Sequence, residues 1–321
     1  MSSGDFRIRI PTRRRGRSRG RFRTRFRIAV RFSRLYGTER ARRVFAHNAA
    51  LAFAGISAVL QFVGQFFPQS FTRPGLIAVV SVAACLMWGL GRARPVLQVE
   101  QVFRRPRMKV VIEAGDVFDQ PAHLVVGFCD TFDTASADGA VISADSVQGQ
   151  LPARRYGGDV RRLDAELTAA LAGVAPVVRE DRERKPLGKL DRYPVGTVAV
   201  LGDRPSLVFA VAYSRIGNDC VAASGVEELW FSLGRLWDAL HRHAQLGRVA
   251  MPLVGSGLSR LDHLDQDSLL RLILMSFVAR SREGAVCREL RILVRPADLE
   301  HIDLREMSAF LGALASGLDR V

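Results

Sequence analysis

Residues 249–258 read VAMPLVGSGL, and the rest of the sequence is interpreted around this stretch. Val249–Met251 predicts a short buried strand, which Pro252 ends. The strand leads into Gly255–Gly257, a turn type whose successive backbone N–H groups can wrap an anion. Glycine suits such a turn because a positive φ costs it little and no Cβ blocks a close ligand. A Gly-x-Gly after a strand is also an ordinary turn, so its interpretation depends on its surroundings.

Strands and helices alternate around this stretch. The apolar patterns predict strands at 109–112, 123–128, 140–142, 197–201, 207–212, 249–251 and 289–294, and helices at 159–174, 226–245, 266–279 and 303–318. Such alternation predicts a largely parallel or mixed sheet between helical layers. Ligands of these sheets bind outside the carboxyl ends of the strands. Three loops are candidates: Gly115-Asp116, 143–149 and 255–258.

The N-terminal segment, residues 1–43, carries most of the basic excess. The formal net charge of the chain is +15, and this segment holds 16 arginines against two acids. It has too few apolar residues to form a core, and we expect it to be disordered in free solution. A nucleic-acid arm, an anionic membrane surface and a cleaved targeting peptide are three interpretations. The apolar segments that follow favour the membrane surface.

Two uncharged apolar runs follow, at 44–67 and 74–91. Each has about the length of a membrane-spanning helix, which is roughly 17–25 residues. A buried core helix is the alternative for each, but two runs joined by a tight loop and flanked by arginine favour a two-helix transmembrane hairpin at 44–91. The positive-inside rule then places both termini in the cytoplasm. Residues 92–107 are interpreted as a linker.

One face of the first run combines small and polar residues. Ala50, Ala54 and Ala58 have the small-xxx-small spacing that lets helices approach closely in lipid. The same face is predicted to carry His47, Leu51, Gln61 and Gln65. This face predicts either packing against the second helix of the same chain or self-association of several chains.

The cysteines and histidines indicate neither a zinc site nor a disulfide framework. Cys85, Cys129, Cys220 and Cys287 are scattered and form no CxxC pair, which fits a reducing compartment. The chain shows no Cys/His or His/Asp pair at catalytic spacing and no metal-ligand spacing. His241, His243 and His263 are interpreted as solvated side chains.

Several stretches resemble macro domains. The opening strand followed by Gly115-Asp116-Val117, the strand order, and Met251-Pro252 before Gly-Ser-Gly all match the family pattern. More narrowly, GFCDTFDT at 127–134, ISADSVQGQ at 142–150 and the N-terminal hairpin resemble membrane-anchored macro-domain effectors of Thoeris-type bacterial antiphage defence. The implied fold is α/β: a macro-domain-like three-layer αβα sandwich at 108–300, with a C-terminal helix at 301–321, preceded by the two-helix transmembrane hairpin.

The resemblance implies a binding site for an ADP-ribose-derived nucleotide. Asp116 would accept a hydrogen bond from the adenine amine. Two loops would hold the diphosphate, and a third would border the distal ribose. The first phosphate loop comprises Ser143, Ser146, Gln148 and Gly149; the second comprises Gly255, Ser256, Gly257 and Leu258; the ribose loop comprises Asp130, Thr131 and Asp133. A turn residue at Asp116, and local capping by Asp130 and Asp133, are the alternatives.

The departures from the family pattern indicate a site that binds and does not cut. Hydrolytic macro domains commonly carry an asparagine after the second strand, where this chain has Cys129-Asp130. Their triple-glycine run is replaced by Ala144-Asp145-Ser146. We therefore expect no catalytic residue, no metal and no cofactor. A membrane-tethered ADP-ribose-processing hydrolase is the alternative.

The resemblance also implies how the protein works. It would be a multi-pass protein of the bacterial inner membrane, in contact with anionic lipids and forming a homo-oligomer. A TIR-domain enzyme would supply the nucleotide signal without stable contact, and binding would trigger assembly and membrane disruption. Because a ligand shifts an equilibrium only through differential affinity, the signal would have to bind the assembled state more tightly.

Overall fold

The computed structural model describes residues 39–66, 74–92, 98–134, 141–255 and 264–319. The chain divides into two compact units, Met1–Pro95 and Val96–Val321. The basic segment at 1–38 lies outside the described residues, as do the tight loop between the apolar runs and residues 93–97. The boundary between the units falls inside the range predicted to be a linker.

The N-terminal unit contains two helices, α1 (Glu39–Phe66) and α2 (Pro74–Arg92). Among the described residues, only Phe45–Phe66 of α1 is long and apolar enough to cross a membrane. The apolar part of α2, Gly75–Gly89, is shorter than the usual span of about 20 residues. By length and composition, the predicted two-span hairpin is therefore reduced to one candidate span.

Helices α1 and α2 pack against each other through small side chains. A Cβ on Gly89 would lie 2.9 Å from the Phe45 ring and 3.2 Å from the Ala49 Cβ, so glycine permits the close approach. Because Gly89 is near the end of α2 and Phe45 is near the start of α1, the helices are antiparallel. The predicted association face of α1 is exposed in this unit, and it comprises His47, Ala50, Leu51, Ala54, Ala58, Gln61 and Gln65.

The second unit is built on a mixed sheet with the order β1-β2-β10-β9-β3-β7-β6, and β8 pairs with β7. Its strands are β1 (Gln98–Phe103), β2 (Met108–Ala114), β3 (His123–Cys129), β6 (Val198–Leu201), β7 (Val208–Ile216), β8 (Ala222–Ala223), β9 (Leu246–Pro252) and β10 (Cys287–Val294). Strands β2, β10, β9, β3 and β7 are parallel. The edge strands β1 and β6 are antiparallel to their neighbours. A separate two-stranded hairpin consists of β4 (Val178–Arg179) and β5 (Asp191–Arg192).

Helices cover both faces of the sheet. They are α3 (Val147–Arg155), α4 (Val160–Leu171), α5 (Val226–His243), α6 (Gln266–Ser281) and α7 (Leu304–Asp319). Alternate residues of each strand enter different cores: Val125 lies with α5, α6 and α7, whereas Leu124 lies with α3 and α4. Leucines of α5 spaced three and four apart are buried, which is the amphipathic pattern that the sequence shows. The result is a three-layer αβα sandwich.

The structure differs from the sequence predictions at several places. Strand β1 lies within the predicted linker and pairs with β2 along its whole length. Val141 and Ile142 form no strand, although both are buried against Ile216. Helix α3 was not predicted, because it is short and contains Pro152. Helix α7 belongs to the main core rather than to a separate segment, because Met307 and Leu311 of α7 are fully buried there.

Candidate functional site

The five parallel strands end at one edge of the sheet. The loops after β2, β9 and β3 therefore meet there, as do the turns that follow β7 and β10. Two of the three predicted ligand loops follow β2 and β9, and the third precedes α3. Open α/β sheets bind their ligands at this edge, so topology alone brings the predicted site residues into one region.

Asp116 caps the short 3-10 helix Val117–Asp119 that follows β2. Its Oδ1 accepts a hydrogen bond from the Phe118 N–H at 2.9 Å. Its Oδ2 accepts one from Arg154 Nη2 at 2.8 Å. Asp116 thus caps a turn, as the alternative interpretation of this residue expected. Its carboxylate nevertheless remains partly exposed at the sheet edge. Each oxygen has a second lone pair, so the cap leaves acceptor capacity for a ligand.

The N-terminus of α3 is held by two serines. Ser146 is the N-cap, and its Oγ accepts from the Gly149 N–H at 2.9 Å. The same hydroxyl donates to the Ser143 carbonyl at 2.6 Å, which closes the preceding turn. A helix N-terminus directs backbone N–H groups and the positive end of the helix dipole outward, which is favourable for a phosphate.

Gly149 lies in the first turn of α3 and has no room for a side chain. A Cβ at this position would lie 2.3 Å from the Ser143 carbonyl oxygen. Gln148 donates through Nε2 to the Asp133 carbonyl at 2.8 Å, which joins the N-terminus of α3 to the loop after β3. The side-chain amide of Gln148 therefore positions the loop, while the predicted contact with phosphate would have to come from the backbone.

Helix α3 links the loop after β3 to the loop after β2. Its first turn contacts Asp133, and Arg154 in its last turn contacts Asp116. Nine helical residues span about 13 Å. Strands β3 and β2 are three strand spacings apart, or about 14 Å. The length of α3 thus matches the width of the edge between the predicted phosphate end and the predicted adenine end.

The loop after β9 begins with two buried residues, Leu253 and Val254, and then turns at Gly255. Gly255 has φ +90°, a left-handed conformation that strongly favours glycine. The rest of the predicted loop, Ser256, Gly257 and Leu258, lies outside the described residues. A turn is therefore observed at Gly255, and anion binding by this loop stays a prediction.

The loop after β3 is engaged with the protein itself. Asp130, Thr131 and Asp133 are at most 3% exposed. Asp130 Oδ2 pairs with Arg192 Nη1 at 2.9 Å, and Oδ1 accepts from the Ile216 N–H at 3.0 Å. Asp133 accepts hydrogen bonds from the Thr131 hydroxyl and from the Lys189 N–H. The structure thus assigns these three residues to internal support rather than to an open rim around a ribose.

The partners of this loop come from residues 178–192, which we call the 178–192 hairpin. Lys185 is fully buried, and its Nζ lies 3.9 Å from Asp133 Oδ2 and donates to the Leu187 carbonyl at 2.9 Å. Arg192 also donates to the Ile216 carbonyl at 2.7 Å. The sequence indicated only a charged surface excursion here. The sequence offered one indication of this contact. The excursion is rich in arginine and lysine, whose charge is opposite to that of the two acids after β3.

Cys129, at the position where hydrolytic macro domains commonly carry asparagine, is not an activated thiol. Burial raises the pKa of Cys129 to about 11, and the Ser214 hydroxyl at 3.3 Å opposes this only in part. A thiol with such a pKa is almost entirely protonated at neutral pH and is a poor nucleophile. Among the described residues, no group of three or more His, Cys, Asp or Glu side chains is placed to hold a metal ion.

Known proteins match this chain over the same region. Residues 110–295, more than half of the chain, match the family described as Thoeris protein ThsA, Macro domain. The Thoeris protein ThsA of Bacillus amyloliquefaciens (strain Y2) is 27% identical over 210 residues, which cover 63% of this chain and 67% of that protein.

Solved structures were also compared. The Oceanobacillus iheyensis macrodomain with ADP has a TM-score of 0.42 at 11% identity, over 70% of this chain and 99% of that one. The same macrodomain with MES bound has a TM-score of 0.38 at 10% identity, over 70% and 100%. The family match covers the sheet from β2 to β10 together with α3, α4, α5 and α6. The chain therefore belongs to the ThsA macro-domain family of the Thoeris system.

Proposed function

We propose that this protein is a membrane effector of bacterial antiphage defence whose macro domain binds an ADP-ribose-derived nucleotide. The observation that carries the proposal is the arrangement at one sheet edge. An acidic acceptor, Asp116, lies at one end of α3, and a serine-capped helix N-terminus lies at the other. An adenine needs an acceptor for its amine, and a diphosphate needs N–H donors, so the two ends of α3 match the two parts of an ADP group.

The second phosphate loop is part of the same proposal. Gly255 begins the turn after β9, and β9 lies between β10 and β3 in the sheet. Its turn is thus between the loops that α3 connects. Ser256, Gly257 and Leu258 would continue the turn and donate backbone N–H groups to the diphosphate. Asp130, Thr131 and Asp133 would not contact the ligand. They would support the site indirectly, by holding the loop that leads to the N-terminus of α3.

The membrane role is supported by the N-terminal unit. The outward faces of α1 and α2 carry large apolar side chains, among which Phe62 is 65% exposed and Val79 is 67% exposed. A soluble protein seldom exposes so much contiguous apolar surface, whereas lipid covers it without cost. We propose that α1 and α2 together form a hairpin in the inner membrane, with both termini in the cytoplasm and the basic segment at anionic lipid.

In the proposed mechanism, nucleotide binding by the macro domain promotes association of several copies through α1. The exposed association face of α1 favours contact between copies, because glutamine amides in lipid gain hydrogen bonds across helices. Reversing a 1:99 equilibrium requires differential binding of about 5.5 kcal/mol, which several ligands in one assembly supply jointly. In this scheme a TIR-domain enzyme makes the nucleotide, and the liganded assembly disrupts the membrane.

The test is titration of the full-length protein in detergent with ADP-ribose. We expect saturable binding that Asp116→Ala weakens by about tenfold or more, since the substitution removes the acceptor for the adenine amine. Asp203→Ala is the control and should bind normally, because Asp203 is exposed and lies in the turn between β6 and β7, at the end of β7 opposite the candidate site. Absence of binding by the unsubstituted protein would contradict the proposal. Steady release of free ADP-ribose from an ADP-ribosylated protein would favour the hydrolase alternative.

A further inference from the structure

We propose that Arg154 is a specificity-determining residue, which reads the purine base together with Asp116. The inference rests on the nucleotide-binding function proposed above and extends it to a residue that the sequence did not single out. Arg154 lies in the last turn of α3, and its side chain is 39% exposed. It is thus placed at the adenine end of the edge and is open to a ligand.

Three contacts hold the guanidinium of Arg154 in one orientation. Its Nη2 lies 2.8 Å from Asp116 Oδ2 and 2.9 Å from Asp119 Oδ1. Its central carbon lies 5.2 Å from the centre of the Phe118 ring, which is within the range of a cation–π contact. A long side chain that is held by two carboxylates and one ring loses little further freedom when a ligand arrives.

The paired groups retain hydrogen-bonding capacity. A guanidinium has five N–H donors, and within the described part of the chain both hydrogen bonds of Arg154 come from Nη2. The N–H groups of Nε and Nη1 therefore remain for a ligand. The carboxylate of Asp116 keeps one lone pair on each oxygen after its contacts with Phe118 and Arg154. Asp116 thus offers an acceptor to a ligand, and Arg154 offers donors beside it.

This arrangement is complementary to one edge of adenine. Adenine presents the N6 amine as a donor next to N7 as an acceptor, so Asp116 would accept from the amine while Arg154 donates to the ring nitrogen. The N7 acceptor is the group that Arg154 itself would recognise. In 7-deazaadenine a C–H group replaces N7 while the amine remains, so this base satisfies Asp116 but offers no acceptor to Arg154. The pair therefore selects a 6-amino purine that carries N7.

The experiment measures the affinity of the full-length protein in detergent for ADP and for 7-deaza-ADP. We expect the unsubstituted protein to prefer ADP. Arg154→Met, which keeps an apolar chain but has no donor, should weaken ADP binding by about tenfold and 7-deaza-ADP binding much less, so that the preference for ADP narrows. Arg154→Lys, which keeps a donor without the fixed planar geometry, should retain part of the preference.

Arg162→Met is the matched control. Arg162 also lies over an aromatic ring, at 5.7 Å from the centre of Tyr156, and it also pairs with a carboxylate, Glu166. This control should leave the preference for ADP unchanged. Equal affinity of the unsubstituted protein for the two nucleotides, an unchanged preference in Arg154→Met, or an equal loss for both nucleotides would overturn the inference while the binding function stands. If the unsubstituted protein bound neither ADP-ribose nor ADP, both proposals would fail.

Discussion

At the scale of single residues, His123 is a buried imidazole with a hydrogen bond at each ring nitrogen. It lies at the start of β3 and is 7% exposed. The Leu207 N–H donates to its Nδ1 at 3.1 Å, and the other ring nitrogen donates to the Ala244 carbonyl. Burial lowers the pKa of His123, and nearby Arg204 lowers it further, against the opposing hydrogen bond to Ala244. The folded protein therefore binds this proton less readily than the unfolded chain does.

This predicts acid sensitivity. Since the folded-state pKa of His123 lies below its ordinary value of 6.5, its stabilising contribution is complete above pH 6.5 and is lost as the pH falls below that value. The slope for a single proton is at most about 1.4 kcal/mol per pH unit. Denaturant unfolding between pH 5 and 7.5 should show a smaller decline for His123→Gln, whose amide preserves both hydrogen-bonding roles. Equal declines in the two proteins would refute the prediction.

The pair of Asp130 and Arg192 gives a second prediction at this scale. Asp130→Asn removes one of the two carboxylates that pair with Arg192 and leaves Glu180, so it should lower the free energy of unfolding by about 2 kcal/mol, the cost of a lost buried hydrogen bond to a charged group. Asp191→Asn in the same hairpin is the control. Its pair with Arg179 is largely exposed, and its loss should cost less than about 1 kcal/mol. Similar losses in the two variants would show that the pair of Asp130 is not a buried support.

At the scale of elements, α3 and the 178–192 hairpin shape the site more than the strands do. The strands bring the loops to one edge, and α3 places Ser146 at one end of the candidate site and Arg154 at the other. The 178–192 hairpin packs against the acidic loop after β3, where its basic residues contact Asp130 and Asp133. Helix α3 is short, and Pro152 lies within it, so its apolar periodicity is too weak to predict from sequence.

Gly149 tests the first turn of α3. Alanine normally favours a helix over glycine by about 1 kcal/mol, but here its Cβ would collide with the Ser143 carbonyl. Gly149→Ala should therefore weaken ADP-ribose binding by about tenfold, because it displaces the turn that precedes the N-terminal N–H groups. Gly173→Ala, where a Cβ meets no atom within 4 Å, should bind normally. Full affinity in Gly149→Ala would show that this turn does not contact the ligand.

At the scale of the whole molecule, the two units differ in where their apolar side chains lie. The macro domain buries its apolar side chains in two cores on either side of the sheet. The N-terminal unit exposes many of its apolar side chains, and the small and polar face of α1 remains uncovered by α2. The packing of α2 on α1 uses a different face, near Phe45 and Ala49, so the proposed association face of α1 stays exposed.

Self-association predicts a size change. Ala54→Leu with Ala58→Leu should convert the oligomer to smaller species in detergent, because the added side chains prevent close helix approach. Val59→Leu with Phe66→Leu places leucines at exposed positions off this face and should leave the size unchanged. Light scattering of the purified full-length proteins measures the difference. If Ala54→Leu with Ala58→Leu left the mass of the particle unchanged, this face of α1 would not be the contact between copies.

The sequence by itself determined the layers, most of the strands and the edge that holds the site. Periodicity depends only on neighbouring residues, so apolar runs and turn glycines predicted β2, β3, β7, β9 and β10 and the positions of Asp116, Ser146 and Gly255. The roles of these positions depended on partners distant in the chain. Asp130 meets Arg192, and Asp116 meets Arg154, across 62 and 38 residues. Only tertiary structure decided that the first acid is a buried support and that the second is paired at the open edge, because burial and pairing are properties of the packed chain and not of local pattern.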